Sequence, residues 1–523
     1  MLRLNNLQQP LSASAEDVKK ALAMRLRCSV NDLYNFKIVK KSVDARRKNN
    51  VHFVYSVDFD LASSYPVDKD IELLPPTEIL HFNIKNDGAR PVVVGSGPAG
   101  MFAALALAEA GLQPIVLERG DDVDTRQQKV NSFWKGGALD AESNVQFGEG
   151  GAGTFSDGKL MTGIKKDKFT QKVMQEFYTA GAPEEILYLA KPHIGTDKLR
   201  QVVRNMRQKI IGLGGEYRFG HKLEQLIIKN EQLHGIIVKH GAEQYELETT
   251  KLFLAIGHSA RDTFEMLLHS GVYMEQKPFA VGARIEHLQT MVNLAQYGNE
   301  AANSPYLGAA DYKLAVHLPN GRAAYTFCMC PGGTVVAAAS EHGRLVTNGM
   351  SEFARNKVNA NAALLVGVDK RDFGSDEVLA GMYFQRRLEE QAFRIGGENY
   401  AAPAQLVGDF LQFRPSRHGG DVAPSYSPNV TWTDLARVLP QQIADTMRTG
   451  IVEMGKKLRG FDHHDAVLTG VETRSSSPVR IVRDKTMQSN IRGVFPCGEG
   501  AGYAGGITSS AADALKVVFS LNY

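Results

Sequence analysis

Cysteine is scarce in this chain: Cys28, Cys328, Cys330 and Cys497 are the four thiols among 523 residues. So few cannot form a disulfide scaffold, and they suit a reducing cytoplasm. Charge of one sign is also missing. Lys+Arg number 60 and Asp+Glu 57, a net +3, which makes no whole-chain case for nucleic acid or an anionic membrane surface. Long apolar runs are absent too. The most apolar stretch, 91–117, is interrupted by glycines, prolines and Glu109, so it does not span a membrane. Residues 1–6 lack the apolar core of a signal peptide, and a cytoplasmic location is expected. No solenoid or propeller period repeats. No metal is expected, because His463 and His464 with Asp462 and Asp465 read as a polar loop without ligand spacing. A G-x-S-x-G nucleophile elbow is missing as well.

What the chain has in excess is glycine, 50 positions where ~7% of a chain is usual. The rest of the composition is that of a core-forming globular protein, with length for two or three domains.

The chain changes pattern along its length. Ser14 with Glu16 and Asp17 predicts a capped helix to about Arg27. Val51, Phe53, Tyr55, Val57 and Phe59 alternate as a half-buried strand, with Tyr34 to Val43 as its partner. Lys40, Lys41, Arg46, Arg47 and Lys48 cluster between them, either as a solvated hairpin loop or as a docking surface for RNA or an acidic partner. A linker with Pro66, Pro75 and Pro76 follows. From Ala89, alternating strand and helix signals predict a parallel α/β core. A helix is expected at 197–213 and strands at 215–219, 223–229, 233–240 and 245–256. Residues 266–474 read as an insertion, with strands at 279–285, 323–329 and 334–339 and helices near 375–395 and 431–458, the last broken at Pro440. The expected domains are 1–87, 88–265 together with 475–523, and 266–474.

The buried-strand run Val92-Val93-Val94 leads into Gly95-Ser96-Gly97-Pro98-Ala99-Gly100, a helix, and a strand ending at Glu118-Arg119. Gly95 permits the tight turn, Gly97 lets the backbone approach a pyrophosphate, and Gly100 allows close helix–strand packing. The helix N-terminus offers unpaired N–H groups to phosphates. A carboxylate at Glu118 suits a ribose, favouring FAD or NAD over NADP. Two more glycine clusters favour FAD. One is Gly148 to Lys159, containing Gly151 and Gly153, whose bare backbone can form an anion nest. The other is Gly493 to Ile507, in which Gly498-Glu499 offers a carboxylate to ribityl hydroxyls. Gly505, Gly506 and Ile507 there open a helix toward a flavin edge.

On these motifs the chain resembles the glutathione-reductase-type two-dinucleotide flavoproteins. More closely, it resembles bacterial FAD-dependent dehydrogenases of unassigned substrate, through Asn144 to Leu160, Phe327-Cys328-Met329-Cys330-Pro331-Gly332-Gly333, and Gly498 to Gly506. The resemblance implies an α/β fold: a Rossmann-like FAD-binding domain, an inserted α+β substrate or cap domain, and a small N-terminal α/β domain. It also implies transfer of hydride or electrons between FAD and an unidentified small organic substrate.

No second dinucleotide fingerprint occurs, so either NAD(P)H docks transiently or electrons come from another donor. His258 is a candidate for proton transfer or a structural turn residue. Lys159 could polarise a flavin carbonyl, pair with a substrate acid, or be a surface lysine. Arg284 could clamp an anionic substrate or form a structural ion pair with Glu286 or another acid. Cys328 and Cys330 lie in a strand-like segment, sharing a face, and read as buried apolar thiols rather than a redox pair. The alternatives to a dehydrogenase or reductase are a flavin monooxygenase, an RNA-modifying or RNA-binding flavoprotein, and a non-catalytic flavin sensor.

Overall fold

The computed structural model describes residues 1–62, 70–76, 78–86, 88–161, 167–319 and 321–522. The helix Ala15–Leu26 starts where Ser14 and Asp17 predict, with both halves of a capping box formed. It packs on a four-stranded antiparallel sheet, in the order Leu33–Asp44, His52–Leu61, Leu2–Gln9, Ile71–Leu73. The strand Leu2–Gln9 was not expected, because its polar residues mask the alternation and only pairing with His52–Leu61 defines it. Pro66 of the expected linker lies outside the described residues, and Ile71–Leu73 adds a strand within that linker.

The basic cluster does not form one free face. The Lys41 ammonium sits 4.0 Å over the Phe53 ring, Arg46 pairs with Asp44 at 2.5 Å, and Lys48 reaches the Gln296 carbonyl.

The fingerprint body is a five-stranded parallel sheet, ordered Val494–Pro496, Leu252–Leu254, Val92–Val94, Ile115–Glu118, Glu216–Phe219. On one face lie the helices Pro98–Glu109, Lys168–Thr179, Thr196–Gly212 and Ile507–Phe519. The fingerprint helix Pro98–Glu109 is apolar all round because it is buried all round, its Phe102 ring edge-on to Phe177 at 5.2 Å. The other face carries an antiparallel sheet of His221–Lys229, Gln232–His240 and Glu243–Glu248. The strand expected at 245–256 is therefore two: Glu243–Glu248 stays in this sheet and Leu252–Leu254 enters the parallel one.

Between these segments in sequence lies a seven-stranded mixed sheet, ordered Ala315–His317, Ala323–Cys330, Asn359–Val368, Phe279–Leu288, Val467–Glu472, Ala402–Leu406, Val430–Trp432. Its core includes the helices Ala380–Gly396 and Gln441–Gly455. The helix expected at 431–458 begins only after Pro440, which caps it; the residues before it form a strand and a short 3-10 turn.

A buried ion cluster joins the two bodies. Arg261, which begins a helix of the fingerprint body, donates to Glu389 at 2.6 and 2.8 Å, and Arg474 donates to the same carboxylate at 2.9 and 3.0 Å. Glu389 is held well below the ordinary carboxylate range: burial opposes ionisation, but Arg261 and Arg474 outweigh it.

Packing at the fingerprint turn leaves no room for a side chain. A Cβ on Gly100 would overlap the Gly95 carbonyl oxygen. Gly100→Ala is expected to lower stability by about 1–3 kcal/mol, read as an earlier urea-unfolding midpoint.

Candidate active site

A cavity of about 440 Å³ opens at the carboxyl ends of Val92–Val94 and Ile115–Glu118, reaching from Glu118 and Arg119 to Cys328, Asn348 and Glu472. Carboxyl strand ends are where open α/β sheets place ligands. Gly97 caps the fingerprint helix with Pro98 as its first residue, so the helix's orphan amides stand at the cavity wall. Gly95 (φ 96°) and Gly100 are packing glycines, whereas Gly97 has room. A Cβ there would meet the Gly151 Cα at an ordinary 3.6 Å. Gly97 and Gly151 (φ 61°) thus line a slot walled by bare backbone.

Glu118 also lines the cavity, but its carboxylate already accepts four hydrogen bonds. These come from Ser96 N (2.9 Å), Ser96 Oγ (2.7 Å), Gly120 N (2.9 Å) and Gly148 N (3.0 Å). It clamps the fingerprint turn to the Gly148 loop. Arg119 stacks over Phe147 at 4.2 Å and pairs with Asp262 and Glu142.

Sequence reasoning missed Arg126. This fully buried guanidinium donates to five main-chain carbonyls, those of Asn144, Val145, Gly148, Glu149 and Gly151, at 2.7–3.2 Å. It gathers the glycine loop around one cation. No side-chain pattern could reveal it, because its partners are all backbone.

The third glycine cluster closes the cavity. Gly506 caps the helix Ile507–Phe519, and Gly505, Gly506 and Ile507 line the wall. Gly153 lies against Ile507, where an added Cβ would come within 3.2 Å. Gly498 (φ 74°) packs against Ala99, closing this helix onto the fingerprint helix. Glu499 faces the cavity, and among the described residues no donor hydrogen-bonds its carboxylate. Burial raises its carboxyl to about 7, with Lys277 opposing.

His258 and Lys159 both line the cavity. The His258 Nδ1 is 3.0 Å from Ser259 Oγ. Burial, then Arg474 and Arg261, lowers the imidazole to about 3, so it is neutral near pH 7 and is no store of acid. The Lys159 ammonium pairs at 2.7 Å with Asp157, which Arg355 also holds.

Arg284 corrects the expectation of a substrate clamp. It is fully buried and absent from the cavity wall. Its five N–H groups are all taken, by Glu472 twice, the Cys328 carbonyl, Asn361 and Asn348. No donor remains for a substrate. The structural ion pair forms instead, and the acid is Glu472, brought alongside by the neighbouring strand.

Residues 90–198 match a family described as FAD binding domain, and residues 278–475 match one described as FAD-dependent protein, C-terminal domain-like. Residues 1–60 match a domain of unknown function. An uncharacterized protein of Clostridium beijerinckii is 48% identical over 525 residues, spanning 99% of this chain and 97% of that protein. The chain belongs to a family of FAD-dependent proteins.

Among solved structures, the chain is similar to the Bacillus halodurans glycerol-3-phosphate dehydrogenase complexed with FAD (12% identity, TM-score 0.34, covering 84% of this chain and 65% of that one). It is also similar to L-proline dehydrogenase from P. horikoshii (10% identity, TM-score 0.36, covering 83% and 93%). Likenesses this distant fix neither substrate nor chemistry.

The cavity of this FAD-dependent protein fits its cofactor by its own residues. A bare-backbone slot at one helix N-terminus, a second helix N-terminus, and the Glu499 carboxylate, for which no donor occurs among the described residues, all line it.

Arg284→Met is expected to lower stability by about 3–5 kcal/mol by stripping Glu472 and the Cys328 carbonyl of their donor. Adding Glu472→Met should restore part of it, as read by chemical unfolding. For Glu499 the sign follows from the raised carboxyl. The folded state keeps the proton up to about pH 7 while the unfolded chain loses it near ~4.3. Stability from this group is therefore complete below that lower value and lost as pH rises through 7. The melting temperature of FAD-free Glu499→Gln, relative to wild type, should thus rise from about pH 5 to about pH 8. An unchanged difference would mean that Glu499 is not desolvated.

Proposed function

We propose that the chain is an FAD-dependent oxidoreductase, and that FAD lies along this cavity with its pyrophosphate on the amides following Gly97 and beside Gly151. Glu499 accepts from the ribityl hydroxyls, and the helix N-terminus at Gly505, Gly506 and Ile507 faces the flavin's pyrimidine edge. A ribose hydroxyl reaches Glu118 by displacing Ser96 Oγ, the one donor of the four that can rotate away. When bound, the cofactor supplies two-electron redox chemistry.

The substrate in this reading is a small organic molecule held where the two bodies meet. The observation that carries it is a single cavity walled both by the fingerprint turn and by Thr326, Cys328 and Glu472 of the seven-stranded sheet. Lys159 and Lys313 at that wall supply positive charge for an acidic or carbonyl group. NAD(P)H serves as a transient donor, since no second fingerprint offers it a domain of its own. Four free thiols favour the cytoplasm as the working compartment.

Gly97→Ala separates cofactor binding from folding. The new methyl group meets the protein only at an ordinary contact distance but stands in the slot. The variant should unfold at the wild-type midpoint yet lose FAD affinity by about tenfold or more, a change of ~1.4 kcal/mol. The measurement is flavin absorbance retained on gel filtration. Undiminished flavin in Gly97→Ala would place the pyrophosphate elsewhere. Anaerobic titration with NADH and NADPH then identifies the donor by which one bleaches the flavin.

A further inference from the structure

We propose that Cys328, in the wall of the FAD cavity, and the buried Cys330 form a reversible dithiol–disulfide pair, giving the FAD-loaded protein a second two-electron store. The proposal rests on FAD occupying that cavity. It departs from the sequence expectation of two inert buried thiols, and the difference lies in the backbone. An undistorted strand separates the Cα atoms of residues two apart by ~6.6 Å, near the far limit for a disulfide.

Here the strand Ala323–Cys330 is not regular. Its pairing with Asn359–Val368 slips between Phe327 and Cys330, and Cys328 occupies the left-handed region at φ 42°. For a non-glycine residue that conformation is costly, and bulges beside cavities re-aim side chains. The neighbouring fold holds it in place: the Cys328 carbonyl accepts from the Arg284 guanidinium at 2.9 Å and from the Cys330 thiol at 3.3 Å. Cys328 lines the cavity, and the Cys330 Sγ turns back to within 3.3 Å of the Cys328 carbonyl oxygen.

The surrounding charge suits a thiolate. Lys159 and Arg355 share the single carboxylate of Asp157. The Lys159 ammonium is buried with no well-directed hydrogen bond, leaving surplus positive charge beside the sulfurs. The Cys330 hydrogen bond, then Lys159 and Arg284, hold the Cys328 thiol well below its ordinary range against burial, while Cys330 is pushed up. Cys497 is the contrast. It is fully buried, far from these cations, and raised by burial.

In the oxidising direction the Cys328 thiolate and the Cys330 thiol form one S–S bond, releasing one proton and two electrons. Oxidised FAD in the cavity accepts both electrons with a proton. In reverse, reduced FAD returns them and the S–S bond breaks to thiolate and thiol.

The test uses air-oxidised, FAD-loaded full-length protein titrated anaerobically with dithionite. Wild type should consume twice the reducing equivalents per flavin taken by Cys328→Ser or Cys330→Ser. Before titration, alkylation and digestion with trypsin should yield the 323–344 peptide, which holds both cysteines and neither of the others. It should be unalkylated and two hydrogens lighter than its dithiol form, becoming doubly alkylated after reduction. Equal consumption by wild type and variants, or a peptide fully alkylated without reduction, overturns the proposal. Peptide mapping needs only wild type, so a variant that fails to fold leaves the test intact. Flavin loss would fail the cofactor reading separately, since it shows in the absorbance and not in the peptide.

Discussion

Everything in this fold that bears on redox chemistry depends on backbone approaching backbone with no side chain between. The fingerprint strand, its turn and its helix fit together because Gly95 and Gly100 have nothing that would strike the carbonyls of Ala255 and Gly95. Gly120 meets Gly148 in the same way, bringing the second glycine loop against the first. Glu118 locks that contact with four hydrogen bonds, and Arg126 collects the loop's carbonyls from the other side. One carboxylate therefore satisfies amides and one guanidinium satisfies carbonyls, so a loop with little side-chain packing is held in one shape.

A different interaction joins this cradle to the seven-stranded sheet. Glu389 receives Arg261 from one body and Arg474 from the chain segment following Val467–Glu472. Buried charges of this kind contribute modestly to net stability but tolerate few alternative arrangements. That fixes how the wall bearing Cys328, Asn348 and Glu472 stands relative to the fingerprint turn. Burial first, and then the same guanidinium groups, keep His258 neutral, so the cavity's protonation behaviour depends in part on its assembly.

The glycine clusters were legible in the sequence because their role is local. A turn, a strand end and a helix start follow one another within about twenty residues, and each step has a residue requirement that can be checked in order. Ser14, Asp17 and Pro440 were legible for the same reason, marking helix ends by what their own backbone and side chains do. The strands Leu2–Gln9, Ala402–Leu406 and Val430–Trp432 were not, because they are defined by partners far along the chain. Arg284 shows the limit most plainly. Its position at a strand near the site was readable, but its five acceptors come from residues 328, 348, 361 and 472, which only the sheet gathers.

By itself the sequence determined the cofactor class, since a dinucleotide needs bare backbone at helix N-termini and glycine spacing records that directly. Tertiary structure decided what surrounds the cofactor: which carboxylates are engaged, which histidine stays neutral, and that Cys328 of an ordinary-looking strand meets the cavity at a bulge, with Cys330 buried two residues on. The physical reason is distance along the chain. A backbone requirement is met within a few neighbouring residues, whereas burial, charge balance and side-chain direction depend on segments hundreds of positions apart.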